Sequence, residues 1–77
     1  MKNIEYMAWV PGRIKVKREL MGVSMKHCAD LMGCTYQQWQ KWENGINMPT
    51  AENIVKICML AQIEPNELFN VQFHEED

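Results

Sequence analysis

The chain has 77 residues, of which 47% are hydrophobic and 23% are charged. This length and composition predict one globular domain with a small core and exclude a disordered chain. No apolar run is long enough to cross a bilayer, and the N-terminus lacks the pattern of a signal peptide, so a cytoplasmic protein is expected. The three cysteines have no paired spacing and neither histidine lies at a zinc-site spacing, so reduced thiols and no metal or other cofactor are predicted.

The formal net charge of −2 is unevenly distributed along the chain. Residues 10–70 carry seven basic and six acidic side chains, whereas the two ends carry one lysine and four acids. The central part is therefore close to neutral, whereas nucleic-acid binders usually carry a clear excess of positive charge.

Proline, glycine and hydroxyl residues divide the chain into five predicted helices. Pro11 and Gly22 bound the first, because proline suits the first turn and glycine adopts the left-handed conformation that ends a helix. Ser24 and Thr35 can cap the second and third helices, and a glycine follows each of these helices. The predicted helices span residues 11–21, 25–32, 36–44, 51–61 and 65–69.

The two ends of the chain show a different periodicity. Apolar residues occupy alternate positions in residues 4–10 and again in residues 69–73, which is typical of strands. A pairing of these ends, within one chain or between two chains, is a hypothesis. The final stretch HEED is interpreted as a solvated acidic tail.

The predicted helix 36–44 has two faces of different chemistry. At 100° per residue, Trp39, Trp42 and Glu43 lie on one side. Apolar residues at helical spacing usually pack inward, so the two tryptophans are interpreted as core anchors and not as stacking platforms for bases. The opposite side carries Tyr36, Gln37, Gln40, Lys41 and Asn44.

This second face is polar and rich in hydrogen-bond donors. A glutamine amide matches the donor and acceptor of an adenine edge, and a lysine can reach guanine or a phosphate. A solvated surface helix is the alternative, although such helices more often carry Glu–Lys pairs. Helix 25–32, a glycine-containing turn and helix 36–44 also follow one another in the layout of a helix-turn-helix, whose second helix enters the major groove.

A family resemblance covers residues 18–69, about two thirds of the chain. The stretch reads RELMGVSMKHCADLMGCTYQQWQKWENGINMPTAENIVKICMLAQIEPNELF and resembles the helix-turn-helix domain of lambdoid phage repressor and Cro proteins. Its most specific parts are Ala29 in CADLMG and the ending WENG followed by Pro49. The resemblance implies an all-α fold, a compact five-helix bundle of the lambda repressor-like DNA-binding type, to which a short β pairing of the ends would be added.

The resemblance also implies a division of the chain and several structural roles. Residues 1–9 would form an N-terminal extension, residues 10–69 the helix-turn-helix domain and residues 70–77 an acidic C-terminal tail. In the family an arginine of the first helix pairs with the glutamate before Asn-Gly, and these positions match Arg18 and Glu43. Ala29 would let the two helices of the motif approach closely, and Gly33 would permit the turn.

DNA contacts are implied for two groups of residues. The base-contacting positions of the family fall on Tyr36, Gln37, Gln38 and Lys41, of which Gln37 is the first candidate. Phosphate contacts are implied at the start of the second helix, where N–H groups suit an anion, and in the loop after the third. The implied phosphate-contacting residues are Ser24, Met25, Lys26, Asn44 and Asn47.

The chain departs from the family pattern at some of these positions. Met25 stands where the family often has glutamine, and Ile46 and Asn47 follow the glycine where many members carry lysine or arginine. Both departures predict a weaker hold on phosphates for each chain. A homodimer would double the contacts and match palindromic half-sites about 34 Å apart.

The chain also has a surplus of apolar residues at positions that are often polar in this family. Val16, Leu20 and Leu31 are such residues, and Trp9 could join the first two in one stripe. That stripe is either covered by residues 1–9 or forms a surface for a dimer or another partner. The other candidate dimer residues are Val55, Met59, Leu68, Phe69, Val71 and Phe73.

Two hypotheses about function follow. The first is a sequence-specific regulator of transcription, a homodimeric repressor of a phage or mobile element that binds a palindromic double-stranded DNA operator; the glutamine-rich face favours it. The second is a protein-interaction module of the same fold, such as an antitoxin or anti-repressor, with weak or lost DNA binding; the low basic charge and the apolar surplus favour it. An enzyme is not predicted, because the sequence has no recognisable catalytic constellation.

Overall fold

The computed structural model describes the backbone of residues 2–75 and the side chains of residues 8–70. Seven elements follow one another along the chain. They are β1 (Lys2–Trp9), α1 (Pro11–Met21), α2 (Met25–Met32), α3 (Tyr36–Glu43), α4 (Ala51–Ala61), a 3₁₀ turn (Pro65–Leu68) and β2 (Phe69–Glu75). In this part of the chain, no helix is long and apolar enough to cross a membrane.

Hydroxyl caps and left-handed glycines set the helix boundaries. Ser24, Thr35 and Thr50 each accept a hydrogen bond from the backbone N–H three residues further along, which satisfies a donor that the helix leaves unpaired. Gly33, with φ at 71°, ends α2 in the conformation that other residues rarely adopt. α3 ends one residue earlier than expected, because Asn44 is its C-cap residue.

The expected five-helix bundle is wrong. The described residues form four α-helices and a two-stranded sheet, and the predicted fifth helix is a single 3₁₀ turn of four residues. It stops there because Phe69, with φ −119° and ψ 149°, is already extended and begins β2. Glu64 and Glu67 form a capping box that closes the turn.

The two strands pair with each other, antiparallel and within one chain. Trp9 lies opposite Phe69 at the base of the sheet, and Lys2 lies opposite Glu75 at its far end. A β-bulge between Ile4 and Tyr6 shifts the alternation of β1 by one position.

The strands therefore occupy the predicted N-terminal extension and most of the predicted tail. Residues 74 and 75, part of the expected HEED tail, are the end of β2, whereas Glu76 and Asp77 lie outside the described residues. Val10 does not continue the strand as its alternation suggested; it is the N-cap residue of α1.

The core lies between the four helices and the 3₁₀ turn. Ala29 is 1% exposed, and its small side chain permits the close approach of α2 and α3. The indoles of Trp39 and Trp42 pack edge to face, with ring centroids 5.9 Å apart. The buried apolar cluster consists of Ile14, Ala29, Met32, Trp39, Trp42, Ile54, Ile57, Cys58 and Leu68.

The stripe proposed for Trp9, Val16 and Leu20 does not form. The Trp9 ring packs edge to face on Phe69, with centroids 5.6 Å apart, and contacts the core. Val16 and Leu20 remain 57% and 79% exposed, so the N-terminal strand does not cover them.

The other candidate dimer residues divide into buried and exposed ones. Leu68 is fully buried, so it is not a dimer residue, whereas Leu31, Val55 and Met59 are exposed. Phe69 is half-buried against the core. The side chains of residues 71 and 73 lie outside the described ones.

Candidate nucleic-acid interface

A buried ion pair fixes the C-terminal end of α3. Glu43 is 7% exposed; Arg18 Nε and Nη2 donate to its two carboxylate oxygens at 2.7 and 3.1 Å, and Trp39 Nε1 donates to Oε2. Arg18 Nη1 also donates to the backbone carbonyl of Val23 at 3.0 Å. One guanidinium therefore joins α1, the turn after it and α3, in the pairing that the family resemblance implied.

The electrostatics of this pair agree with its geometry. The hydrogen bond to Glu43 raises the pKa of the Arg18 guanidinium and outweighs the opposing effect of desolvation. Charge-assisted, two-pronged bonds of this kind are among the stronger ones in proteins. Because both partners are shielded from water, the loss of one would leave the other as an uncompensated buried charge.

The outer face of α3 is presented to solvent. Tyr36 is 40% exposed, and Gln37, Gln40 and Lys41 are also exposed. Thr35 caps the helix by accepting the backbone N–H of residue 38 at 3.1 Å. The inner face is thus packed in the core, while the outer face of this anchored helix offers an aromatic hydroxyl, amides and an ammonium group.

Gln38 differs from the other three residues predicted to contact bases. It is half-buried, and its Nε2 donates to Asn47 Oδ1 at 3.0 Å. The structure thus brings one predicted base-contacting residue and one predicted phosphate-contacting residue together. Their bond links α3 to the loop that follows it.

The N-terminal end of α2 carries three of the predicted phosphate-contacting residues. Ser24 Oγ accepts the N–H of His27 at 3.0 Å, so its hydroxyl hydrogen is still able to donate. Lys26 is exposed, but the Met25 side chain is half-buried and packs against the core. Of the groups of Met25, the backbone N–H in the first turn of the helix is the one that can face an anion.

The turn after α3 depends on a glycine. Gly45 has a φ of 74°, and a Cβ there would lie 3.1 Å from Cγ of Pro11. Any other residue would be strained and would press on the start of α1. This turn leaves Asn44 and Asn47, the two remaining predicted phosphate-contacting residues, exposed beside α3.

Sequence reasoning missed two features. Arg13 Nη1 donates to the backbone carbonyls of Phe69 at 2.6 Å and Glu67 at 3.3 Å; these partners lie more than fifty residues away, so no local pattern indicates the contact. The second feature is a shallow groove beside α3. It was not predicted, because Asn53, which lines it, shows no unusual pattern in the sequence. The groove is lined by Cys34, Gln38, Trp42, Asn47, Met48, Thr50 and Asn53.

Comparison with known proteins gives consistent matches. The family model described as helix-turn-helix matches residues 14–68. The chain is 34% identical over 62 residues to an uncharacterized HTH-type transcriptional regulator of Sinorhizobium fredii, covering 80% of this chain and 43% of that protein. It is 32% identical over 56 residues to the cryptic phage CTXphi transcriptional repressor RstR of Vibrio cholerae, covering 73% and 50%.

The chain thus spans about half the length, or less, of these curated relatives. Among solved structures, the P22 c2 repressor protein in complex with a synthetic operator matches with a TM-score of 0.72 and 21% identity, covering 75% of this chain and 88% of that one. That likeness establishes the fold. The structure also shows the capped and anchored α2–α3 pair of such a domain. Because the family model matches residues 14–68, the chain belongs to the helix-turn-helix family.

Proposed function

We propose that the chain is a sequence-specific regulator of transcription, a homodimeric repressor that inserts α3 into the major groove of double-stranded DNA. One observation carries the proposal: the two faces of α3. Trp39, Trp42 and Glu43 hold the inner face, so the outer side chains project from a rigid support. A fixed helix with unpaired amides on its outer face is the arrangement that reads base edges.

Base reading is assigned to the exposed N-terminal part of this face. Gln37 would form a two-pronged contact with adenine, and Lys41 would reach guanine or a phosphate. Tyr36 would contact a thymine methyl or a phosphate. Gln38 keeps its amide oxygen and one N–H beyond its bond to Asn47, so it would reach a base only while it positions that loop residue.

Phosphate contacts are assigned to two sites that flank α3. Ser24, Lys26 and the backbone N–H of Met25 would hold one phosphate at the start of α2, where the helix dipole favours an anion. Asn44 and Asn47 would hold another in the following loop. Such contacts position the protein on the duplex, while the side chains of α3 supply the sequence preference.

Repression by a dimer is the finer part of the proposal. The Vibrio phage relative is named a transcriptional repressor, and a dimer would offset the low positive charge of residues 10–70 by doubling the phosphate contacts. The operator is accordingly proposed to be palindromic, with its half-sites one helical turn apart.

Selection from a random duplex library tests this function. We expect a palindromic motif whose binding weakens with salt in proportion to several phosphates. Failure to enrich any motif, even at low salt, would overturn the proposal. It would favour the second candidate, a protein-interaction module of the same fold, which is supported by the strongly exposed Leu20, Ile46 and Met59.

A further inference from the structure

An apolar cavity of about 100 Å³ opens on a side of the molecule formed by α1, α2 and the C-terminal end of α4. Ile14, Trp39 and Ile57 line it from within, and all three are buried. None of the residues proposed to contact DNA lines it. The cavity is therefore separate from the outer face of α3, although Trp39 belongs to both the cavity floor and the anchor of that helix.

Large apolar side chains surround the opening. Met21, Leu31 and Leu60 line the cavity and are 47%, 55% and 40% exposed. Apolar surface left in water costs about 25 cal/mol per Å² relative to burial. A small void ringed by exposed apolar groups is the form of a protein-binding hot spot, in which one anchor fills a pocket and its neighbours exclude water.

The charges at this opening have one sign. Lys17 and Arg18 carry positive charges in the lining, His27 contributes a ring N–H donor, and no aspartate or glutamate lines the cavity. Arg18 is already neutralised by Glu43, whereas Lys17 and His27 are available at the opening. An occupant with carboxylates beside its apolar part would therefore be favoured.

The volume decides between a small molecule and a protein. Sites for small ligands usually measure roughly 300–1,000 Å³, and an engineered apolar cavity that binds benzene measures about 150 Å³. The cavity thus accepts about one apolar side chain. A ligand of that size would leave the surrounding Met21, Leu31 and Leu60 in water, whereas a polypeptide segment would cover them as well.

We propose that this surface, here named the Leu31 pocket (Lys17, Met21, His27, Leu31 and Leu60 around the cavity), binds an acidic segment of a partner protein. The segment inserts one leucine or methionine side chain into the cavity. Its aspartates or glutamates lie opposite Lys17 and His27. This binding is independent of base reading, so the two functions can succeed or fail separately.

A random dodecapeptide library displayed against the immobilised chain tests the proposal. We expect the enriched peptides to share one large apolar residue flanked by acids. A synthetic peptide of the enriched sequence should bind Leu31→Asp at least about tenfold more weakly than the wild type. Leu20→Asp is the matched control, because Leu20 is exposed and does not line the cavity.

Charge reversal supplies the second readout. Lys17→Glu should weaken the acidic peptide, and a peptide with lysines in place of its acids should bind Lys17→Glu better than the wild type. Urea unfolding checks that each variant is folded. The proposal is overturned if nothing is enriched, if the enriched peptides lack acids, or if Leu20→Asp weakens binding as much as Leu31→Asp.

A second copy of the chain is the competing occupant. Sedimentation of the chain alone would reveal it, as self-association that Leu31→Asp abolishes and Leu20→Asp preserves. That outcome would also overturn the acidic-partner proposal and assign the Leu31 pocket to a homodimer.

Discussion

Glu43 and Gln37 lie on the same helix, yet opposite physical demands act on them. Glu43 is almost fully buried, with Arg18 and Trp39 bonded to its carboxylate, so it is fixed by the fold. Gln37 is exposed, so the fold leaves its identity open and its role must come from what it contacts. Stability experiments therefore test the first residue, and binding experiments test the second.

Replacement of Glu43 should be strongly destabilising. Glu43→Ala removes the partner of Arg18 and the acceptor of the Trp39 N–H, so we expect a loss of about 2–4 kcal/mol in the free energy of unfolding. Urea denaturation measures it. Glu19→Ala is the control: that carboxylate lies 4.0 Å from Arg18 but is 56% exposed, and its loss should stay within about 0.5 kcal/mol. Similar losses in both variants would contradict the account.

Replacement of Gln37 should alter sequence preference without altering the fold. Gln37→Ala is expected to lose about 1–3 kcal/mol of binding free energy for the selected operator and to relax the preference at one base pair. Gln40→Ala, an exposed glutamine of the same helix, is the control and should retain that preference. If Gln37→Ala binds the operator and its variants with the wild-type ratio, Gln37 does not read a base.

At the scale of elements, capping signals predicted the helices closely because they act within a few residues. The predicted bounds of α1, α2 and α4 agree with the structure. Pro65 predicted the start of a fifth helix. The helix has only one turn, because Phe69 is extended and pairs with Trp9. Each paired strand residue has a partner sixty or more residues away, so local patterns could suggest the strands but not their register or bulge.

The cap of α3 offers a test at this scale. Thr35→Ala removes the acceptor for the backbone N–H of residue 38 and should cost about 1 kcal/mol of stability. Thr35→Ser keeps the oxygen and should cost far less. Thermal or urea unfolding distinguishes the two, and an equal loss would indicate that packing of the threonine methyl, and not the cap, is responsible.

Arg13 should control the local stability of the sheet more than that of the whole molecule. Arg13→Ala releases the carbonyls of Glu67 and Phe69 at the start of β2, so amide exchange in β1 and β2 should become several-fold faster. The urea midpoint should change little, because Arg13 is exposed. Lys15→Ala, an exposed cation of the same helix, should leave the exchange rates unchanged.

At the scale of the molecule, the candidate interface was only partly predictable. The inner and outer faces of α3 follow from helical periodicity, so the sequence indicated both. The inward packing of Met25, the bond between Gln38 and Asn47 and the burial of Leu68 depend on the tertiary arrangement. For the same reason, the sequence could show an apolar surplus but not the cavity that Leu31 helps to surround.

A dimeric repressor makes a prediction about DNA geometry. Insertion of about five base pairs between the half-sites of the selected operator rotates them by half a helical turn and should abolish tight binding. Insertion of about ten base pairs restores the facing but adds a full turn of distance, so a rigid dimer should lose tight binding there as well, and the unaltered operator is the control. Gel-shift titration measures both, and equal affinity for all three spacings would show that each chain binds alone.

The pairing of Lys2 with Glu75 has a consequence for engineering. Both ends of the described chain emerge side by side, so a short loop from residue 75 to residue 2 would turn the sheet into a hairpin. The chain could then be opened elsewhere, for instance at the exposed turn around Gly22, to give a circular permutant that keeps the strand pairing. Its new ends would lie between α1 and α2, so a reporter fused there would be carried on the helical body and not on the sheet.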